Sequence, residues 1–233
     1  MACHQGCAHE SACLTSVPVF EGLNVVDRQL LQKVTRSRHF SKGEFIFQEG
    51  ERSETLFVVN EGLIKLTKIS AEGKEQIVRL LFPGDFFGLS SLLKKDKHYV
   101  NAETSQNTVI CYIEKKDFLT TMEKDAELAY RFLLEVNERL CDADESVGSL
   151  SLMEVDQRLA RALILFHKKM SPNKGSFILP ITKKELASYI GTTPESVSRK
   201  LLSFKTQKLI QMDGSKQIQI LELDQLKLMA EMA

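Results

Sequence analysis

The stretch ITKKELASYIGTTPESVSRKLLSFKTQKLIQ, residues 181–211, reads as two helices joined by a tight turn. Thr182 followed three residues later by Glu185 is a capping box, which starts a helix just after Thr182. Leu186, Ala187 and Ile190 give that helix one apolar face. Gly191 ends it, because glycine takes the left-handed cap conformation without steric cost. Thr193 caps a second helix, with Pro194 at its first position, where no amide donor is needed. Val197, Leu201 and Phe204 recur at helical spacing and should face inward. Glu195, Ser198 and Arg199 should face outward near the N-terminus, the end from which a recognition helix reads base edges. Two short helices around a glycine also occur in many proteins that touch no nucleic acid. The next segment narrows the reading: Leu209, Ile210 and Met212 lead through Asp213-Gly214-Ser215 to Ile218, Ile220 and Leu221, which is strand, turn, strand. Helix, turn, helix and hairpin in that order make a winged helix-turn-helix, whose expected partner is double-stranded DNA.

Composition is consistent with that partner once the chain is divided. The 233 residues carry 31 Lys and Arg and 31 Asp and Glu, for no net charge. Residues 153–233 hold 13 of the basic and 8 of the acidic groups, whereas residues 1–152 hold 18 and 23. The excess of positive charge therefore falls on the half with the helix-turn-helix, as phosphate contacts require. No run of ~18 apolar residues is present, so no membrane partner is expected. The opening MACHQGCAHESACL lacks the basic and apolar blocks of a signal peptide, and the expected location is cytoplasmic.

Ahead of the helical pair, Phe20 to about Phe118 reads as β structure, after a short helix expected over residues 21–36. Short apolar runs, among them Phe45–Phe47, Leu56–Val59, Leu63–Leu66, Ile77–Leu81 and Val109–Ile113, alternate with glycines. Strands at this spacing predict a sheet structure closed on itself, a β-roll. Residues 125–150 then change to helical period. Phe132, Val136, Leu140, Ala143, Val147 and Leu150 form a narrow apolar stripe between acidic residues, the pattern of a two-stranded coiled coil, and so of a homodimer. A further helix is expected over 154–170. The predicted fold class is α+β. Its parts are an N-terminal arm (1–19), an antiparallel β-roll (20–120), a long dimerisation helix (121–152) and a C-terminal winged helix-turn-helix domain (153–233).

Cys3, Cys7 and Cys13 crowd the first thirteen residues as C-x3-C-x5-C, while Cys111 and Cys141 stand alone. In a reducing compartment such clustering points to metal ligation or redox chemistry more than to structural disulfides. Three readings stay open on the residues themselves: an iron–sulfur cluster, a zinc site using His4 or His9, and a thiol–disulfide switch between the arm and Cys111. An organic ligand inside the roll is a fourth. A β-roll is also the shape of cupin-like enzymes, but no H-x-H pair or histidine–glutamate set falls on a predicted strand, so no catalytic residue is expected.

Gly43-x6-Gly50, LFVVNEGLIKL and LFPGDFFG, followed by a dimer helix and a winged helix, resemble the CRP/FNR regulators over essentially the whole chain. The resemblance implies a homodimer that grips DNA when a signal in the roll repositions two recognition helices, and that contacts RNA polymerase, with Lys94-Lys95-Asp96-Lys97 as a candidate surface. Cyclic-AMP-binding members carry a glutamate and an Arg-Ser pair after the FFG-type turn. Here Gly88-Leu89-Ser90-Ser91 and His98-Tyr99-Val100-Asn101 stand instead, so that ligand is not expected. His39, His98 and His167 are expected to face solvent. The cysteines resemble those of the oxygen-sensing branch, which implies a [4Fe-4S] cluster on Cys3, Cys7, Cys13 and Cys111. The first spacing departs from the well-known x2, and Cys141 has no counterpart. The same likeness gives Asp142 a role in charge repulsion across the dimer. Glu195-Ser196-Val197-Ser198-Arg199 is similar to the branch's E-x-x-S-R recognition motif, which implies a TTGAT-N4-ATCAA-like inverted repeat. Arg199 would pair with guanine. Lys183, Lys184 and Lys200 would contact phosphates.

Overall fold

The computed structural model describes residues 33–94, 97–171, 176–214 and 216–231. They fall into two compact units, one made of the described residues up to Lys68 with Val78–Arg139, the other of Ile69–Ile77 with those from Leu140 on. The arm cysteines and residues 21–32 of the helix expected over 21–36 lie outside the described residues; Lys33 and Val34 are helical, and Arg36 already begins a strand.

The first unit is built on β1 (Arg36–Phe40), β2 (Phe45–Phe47), β3 (Thr55–Glu61), β4 (Ile64–Ile69), β5 (Glu75–Leu81), β6 (Phe86–Phe87), β7 (Asn101–Thr104) and β8 (Thr108–Glu114). They make two four-stranded sheets, ordered β1-β8-β3-β6 and β2-β7-β4-β5. The period-two alternation of strands divides their side chains between two cores. Phe40, Phe47, Val59, Ile64, Leu66, Phe87 and Ile110 fill one core. Leu56, Val58, Phe86, Cys111 and Ile113 enter the other, where they meet helices α1 (Leu89–Lys94), α2 (Lys115–Lys124) and α3 (Ala126–Leu152) through Leu92, Phe118, Leu128 and Phe132.

Three expectations are corrected here. The β structure expected to reach about Phe118 ends at Glu114, and Phe118 lies in α2, where Asp117 supplies the acidic first turn of a helix. Phe132 is 7% exposed and Val136 is packed against the same core, so both side chains of the expected dimer stripe are used inside their own subunit. His98 is buried: its ring stacks on Phe47 at 3.5 Å between centroids, and its Nε2 lies 2.8 Å from the Ser53 hydroxyl. Removal from water lowers its pKa, with Glu51 acting weakly in the opposite direction, so the ring is neutral at pH 7.

The second unit contains α4 (Val155–Met170), β9 (Ser176–Ile178), α5 (Lys183–Ile190), α6 (Pro194–Thr206), β10 (Ile210–Asp213), β11 (Gln217–Ile220) and α7 (Leu223–Glu231). Leu159, Leu163 and Phe166 of α4, Leu186 and Ile190 of α5, Val197, Leu201 and Phe204 of α6, and Leu226 of α7 are buried. The hairpin β10–β11 gains β9 as a third strand, with Ile218 opposite both Met212 and Phe177. Residues 69–77 join this unit at Ser188, whose hydroxyl donates to the Glu75 carbonyl at 2.9 Å and accepts from the Ile77 amide at 3.0 Å. Among the described residues no helix is long and apolar enough to cross a membrane.

Gly62 closes the β3–β4 turn at φ 99°, and a Cβ built there would lie 2.7 Å from the Thr108 Cα and 2.8 Å from the Asn107 carbonyl oxygen. Backbone atoms block the space together with the Thr108 hydroxyl, at 2.4 Å, so moving a side chain alone would not clear it. Gly62→Ala is therefore expected to destabilise the roll by about 2–4 kcal/mol, read as a shift of the urea midpoint.

Candidate nucleic-acid interface and cysteine site

The helix-turn-helix is set by short-range hydrogen bonds. The Thr182 hydroxyl accepts from the Glu185 amide at 3.2 Å, and the Glu185 carboxylate accepts from the Thr182 amide at 2.8 Å. Gly191 caps α5 at φ 68°, and Thr193 caps α6 by accepting from the Ser196 amide at 3.2 Å. Both helix starts are thus fixed by residues next to them in sequence, and the angle between the helices follows from the apolar faces they share.

On the outer side of α6, Glu195, Ser198 and Arg199 are exposed and Ser196 is half-buried. The Arg199 guanidinium donates to the Ser196 hydroxyl at 3.3 Å, which orients it along the helix. The carboxyl of Glu195 is held below the usual range by its own backbone amide first, then by Thr193 and by the charge of Arg199. It is therefore an acceptor-only group at neutral pH, able to take a hydrogen bond from an exocyclic base amine. Lys184 is exposed and Lys183 half-buried at the start of α5. Lys200 differs: its ammonium donates to Asp156 of α4 at 2.9 Å. The Asp156 pKa is lowered mainly by that bond, so the pair is intact at neutral pH.

The cysteine site has one described member. Cys111 stands on β8, opposite Val58 of β3 and Ser37 of β1, and is 1% exposed. Its sulfur is in a disulfide whose partner lies outside the described residues. Cys141 is a free, exposed thiol on α3. Among the described residues no group of three or more His, Cys, Asp or Glu is arranged to hold a metal.

Beyond Arg139 the long helix α3 exposes most of its side chains, but a narrower apolar strip can be traced from its start. Tyr130, Leu133, Leu140 and Val147 are exposed at 56%, 62%, 60% and 66%. With Asn137 and Asp144 between them the steps are three, four, three, four and three, the spacing of a coiled-coil seam. Leu140 and Val147 were legible in sequence; Tyr130, Leu133 and Asn137 were not. Ala143 and Leu150 flank the strip. Asp142 lies about 160° around the helix from Leu140, away from it.

Two family comparisons match this architecture. Residues 37–125 match the cyclic nucleotide-binding domain, and residues 157–229 match the Crp-like helix-turn-helix domain. The chain belongs to the CRP/FNR family of transcription regulators. A relative in this family is the probable transcriptional regulator flp of Lacticaseibacillus casei, 29% identical over 93% of this chain and 97% of that protein. The transcriptional activator protein Anr of Pseudomonas protegens is 28% identical over 88% of this chain and 84% of its own. Among solved structures, FixK2 from Bradyrhizobium japonicum superposes with a TM-score of 0.80 at 25% identity, over 86% of this chain and 99% of that one. This regulator binds DNA through the second unit. The first match establishes the roll, not its ligand, since one fold serves many ligands.

The Lys200–Asp156 pair generates a test. The pair is partly exposed and worth at most about 1 kcal/mol to stability, so its loss is tolerable. Asp156→Asn releases Lys200 toward the phosphate backbone. Affinity is expected to rise alike on every DNA sequence, and the slope of log K against log salt to steepen by about 0.9, one phosphate contact. An unchanged slope would mean that Lys200 cannot reach DNA.

Proposed function

We propose that this is a cytoplasmic, cysteine-gated transcription regulator that binds an inverted repeat as a homodimer, the oxidation state at Cys111 setting its grip. The observation that carries the reading is the disulfide at Cys111 inside the core that also holds Phe132 of α3. Two thiols become a disulfide by giving two electrons and two protons to an oxidant, and the sulfur that changes is packed among the side chains anchoring the dimer helix. A change of bonding there alters how α3 is seated without any contact at the DNA interface.

The second reading is a [4Fe-4S] cluster on Cys3, Cys7, Cys13 and Cys111, favoured by three cysteines in eleven residues and by likeness to the oxygen-sensing branch. Relatives named transcriptional activator protein Anr and FnrA are 28% and 27% identical. A disulfide sulfur has no thiolate to give a cluster, and the other three ligands lie outside the described residues. The disulfide at Cys111 supports the thiol switch, and the likeness to those relatives supports the cluster.

Glu195, Ser198 and Arg199 on one outer stripe support a TTGAT-N4-ATCAA-like half-site pair, with Lys183 and Lys184 on phosphates. The strip Leu133–Leu140–Val147 supports a parallel dimer, and a regulator of this kind works on RNA polymerase. Of its expected contact loop, Lys95 and Asp96 lie outside the described residues.

Protein purified without air decides between the readings. Colourless, iron-free material whose DNA affinity differs at least tenfold between dithiothreitol and diamide, with Cys111→Ser equal in both, is the expected result. A brown product containing iron and sulfide that bleaches in air would establish the cluster instead. Wild-type affinity indifferent to redox state would end both. For the dimer, Leu140→Glu is expected to yield monomer in sedimentation velocity while leaving the melting temperature within a few degrees, because Leu140 is exposed in the single subunit.

A further inference from the structure

One large apolar side chain stands on the outer face of α6 among the polar residues. Leu202 is 63% exposed, whereas Val197, Leu201 and Phe204 of the same helix are at most 1% exposed. At about 100° per residue, Leu202 lies about 20° from the line of Glu195 and between the directions of Ser198 and Arg199. It therefore extends the stripe Glu195–Ser198–Arg199 by one turn, on the side opposite the helix's buried face. Single exposed leucines are ordinary on protein surfaces and by themselves mean nothing. This one is placed where a helix inserted in the major groove meets base edges. It has no donor for a phosphate and no acceptor for a base amine, so apolar contact is what its side chain has to offer. In the major groove the apolar feature of a base pair is the C5 methyl of thymine.

We infer that Leu202 is a specificity-determining residue that packs on a thymine C5 methyl, one step along the groove from the base read by Arg199. The inference rests on α6 being the recognition helix, and it adds a hydrophobic term to a readout otherwise made of hydrogen bonds. Burying one methyl is worth about 0.8 kcal/mol, about fourfold in affinity per half-site.

The test uses the full-length dimer and an operator obtained by selection from random duplexes. Each thymine is replaced in turn by deoxyuridine, which keeps the hydrogen-bonding edge and removes only the methyl. Binding is followed by fluorescence anisotropy for wild type, Leu202→Ala and Arg199→Ala. The expected result is one position per half-site where deoxyuridine weakens wild type about fourfold and leaves Leu202→Ala unaffected. That same penalty should persist in Arg199→Ala. Wild type insensitive to deoxyuridine at every position, or Leu202→Ala weakened by deoxyuridine as much as wild type, overturns the proposal. Failure of α6 as the recognition helix would look different: selection would return no consensus, or Arg199→Ala would weaken all duplexes equally. Because Leu202 is exposed, its truncation leaves the fold intact, which the thermal melt of the variant checks.

Discussion

The alternation of side chains along β8 is the constraint on which the two cores of the roll depend. Ile110 goes into the core between the two sheets, and Cys111 and Ile113 go to the helix-covered face. A one-residue slip would exchange them and bring the thiol into the sandwich, away from α3. The register is held on both sides, by β1 through Ser37 and by β3 through Val58, so the position of the sulfur is as rigid as the sheet. A rigidly held sulfur inside a close-packed core cannot change its bonding partner without moving its neighbours, because such packing leaves no slack to absorb the change. Phe86 and Phe132 are among those neighbours, stacked at 4.7 Å between centroids, and Arg139 of the same helix lies over the Phe86 ring. The face of β8 that carries Cys111 thus shares one core with the start of a long helix.

The same helix shows why part of the plan was legible in sequence and part was not. Steps of three and four say that α3 is amphipathic, but not how its apolar face is shared between two partners. Phe132 and Val136 serve the roll, while Leu133, Leu140 and Val147 stay outside it. The stripe drawn from sequence mixed the two sets. The helix-turn-helix read correctly because its signals are local: Thr182 with Glu185, Gly191, and Thr193 with Pro194 act on backbone groups within four residues of themselves. β1, β7 and β9 were missed for the opposite reason. Arg36–Phe40 and Asn101–Thr104 carry mostly polar side chains, and Ser176–Ile178 is three residues long. Their strand state comes from partners far along the chain, which no local pattern encodes. His98 was misplaced likewise, since its burial depends on Phe47 and Ser53 rather than on its neighbours.

Charge needed the same division into parts. A chain with no net charge carries its positive excess in the DNA-binding half, and one of those cations is spent internally on Asp156. Such pairing contributes little to stability, but it lowers the sequence-independent attraction for phosphates. Discrimination between sites rises when that background falls, because base contacts then supply a larger share of the binding. Glu195 acts in the same direction: an ionised carboxylate on the outer face repels phosphates unless a base amine is there to receive it.

The roll's kinship with cyclic nucleotide-binding domains leaves a question of ligand that the residues answer physically. A cyclic phosphate buried in protein needs a cation or several aimed donors to replace its hydration. Around the segment that follows Gly88, the side chains are occupied with one another. The Ser91 hydroxyl donates to the Gly88 carbonyl at 3.0 Å and lies 3.4 Å from that of Ser53, which in turn bonds His98. His98 is a poor substitute for the missing cation, because its burial lowers its pKa and favours the neutral ring. To protonate it would cost the desolvation of a charge, and to break its bond with Ser53 would leave a buried ring nitrogen unpaired. An anion entering here would have to reverse both. The polar network of Ser53, Ser91 and His98 thus holds the roll in its shape rather than lining a phosphate site.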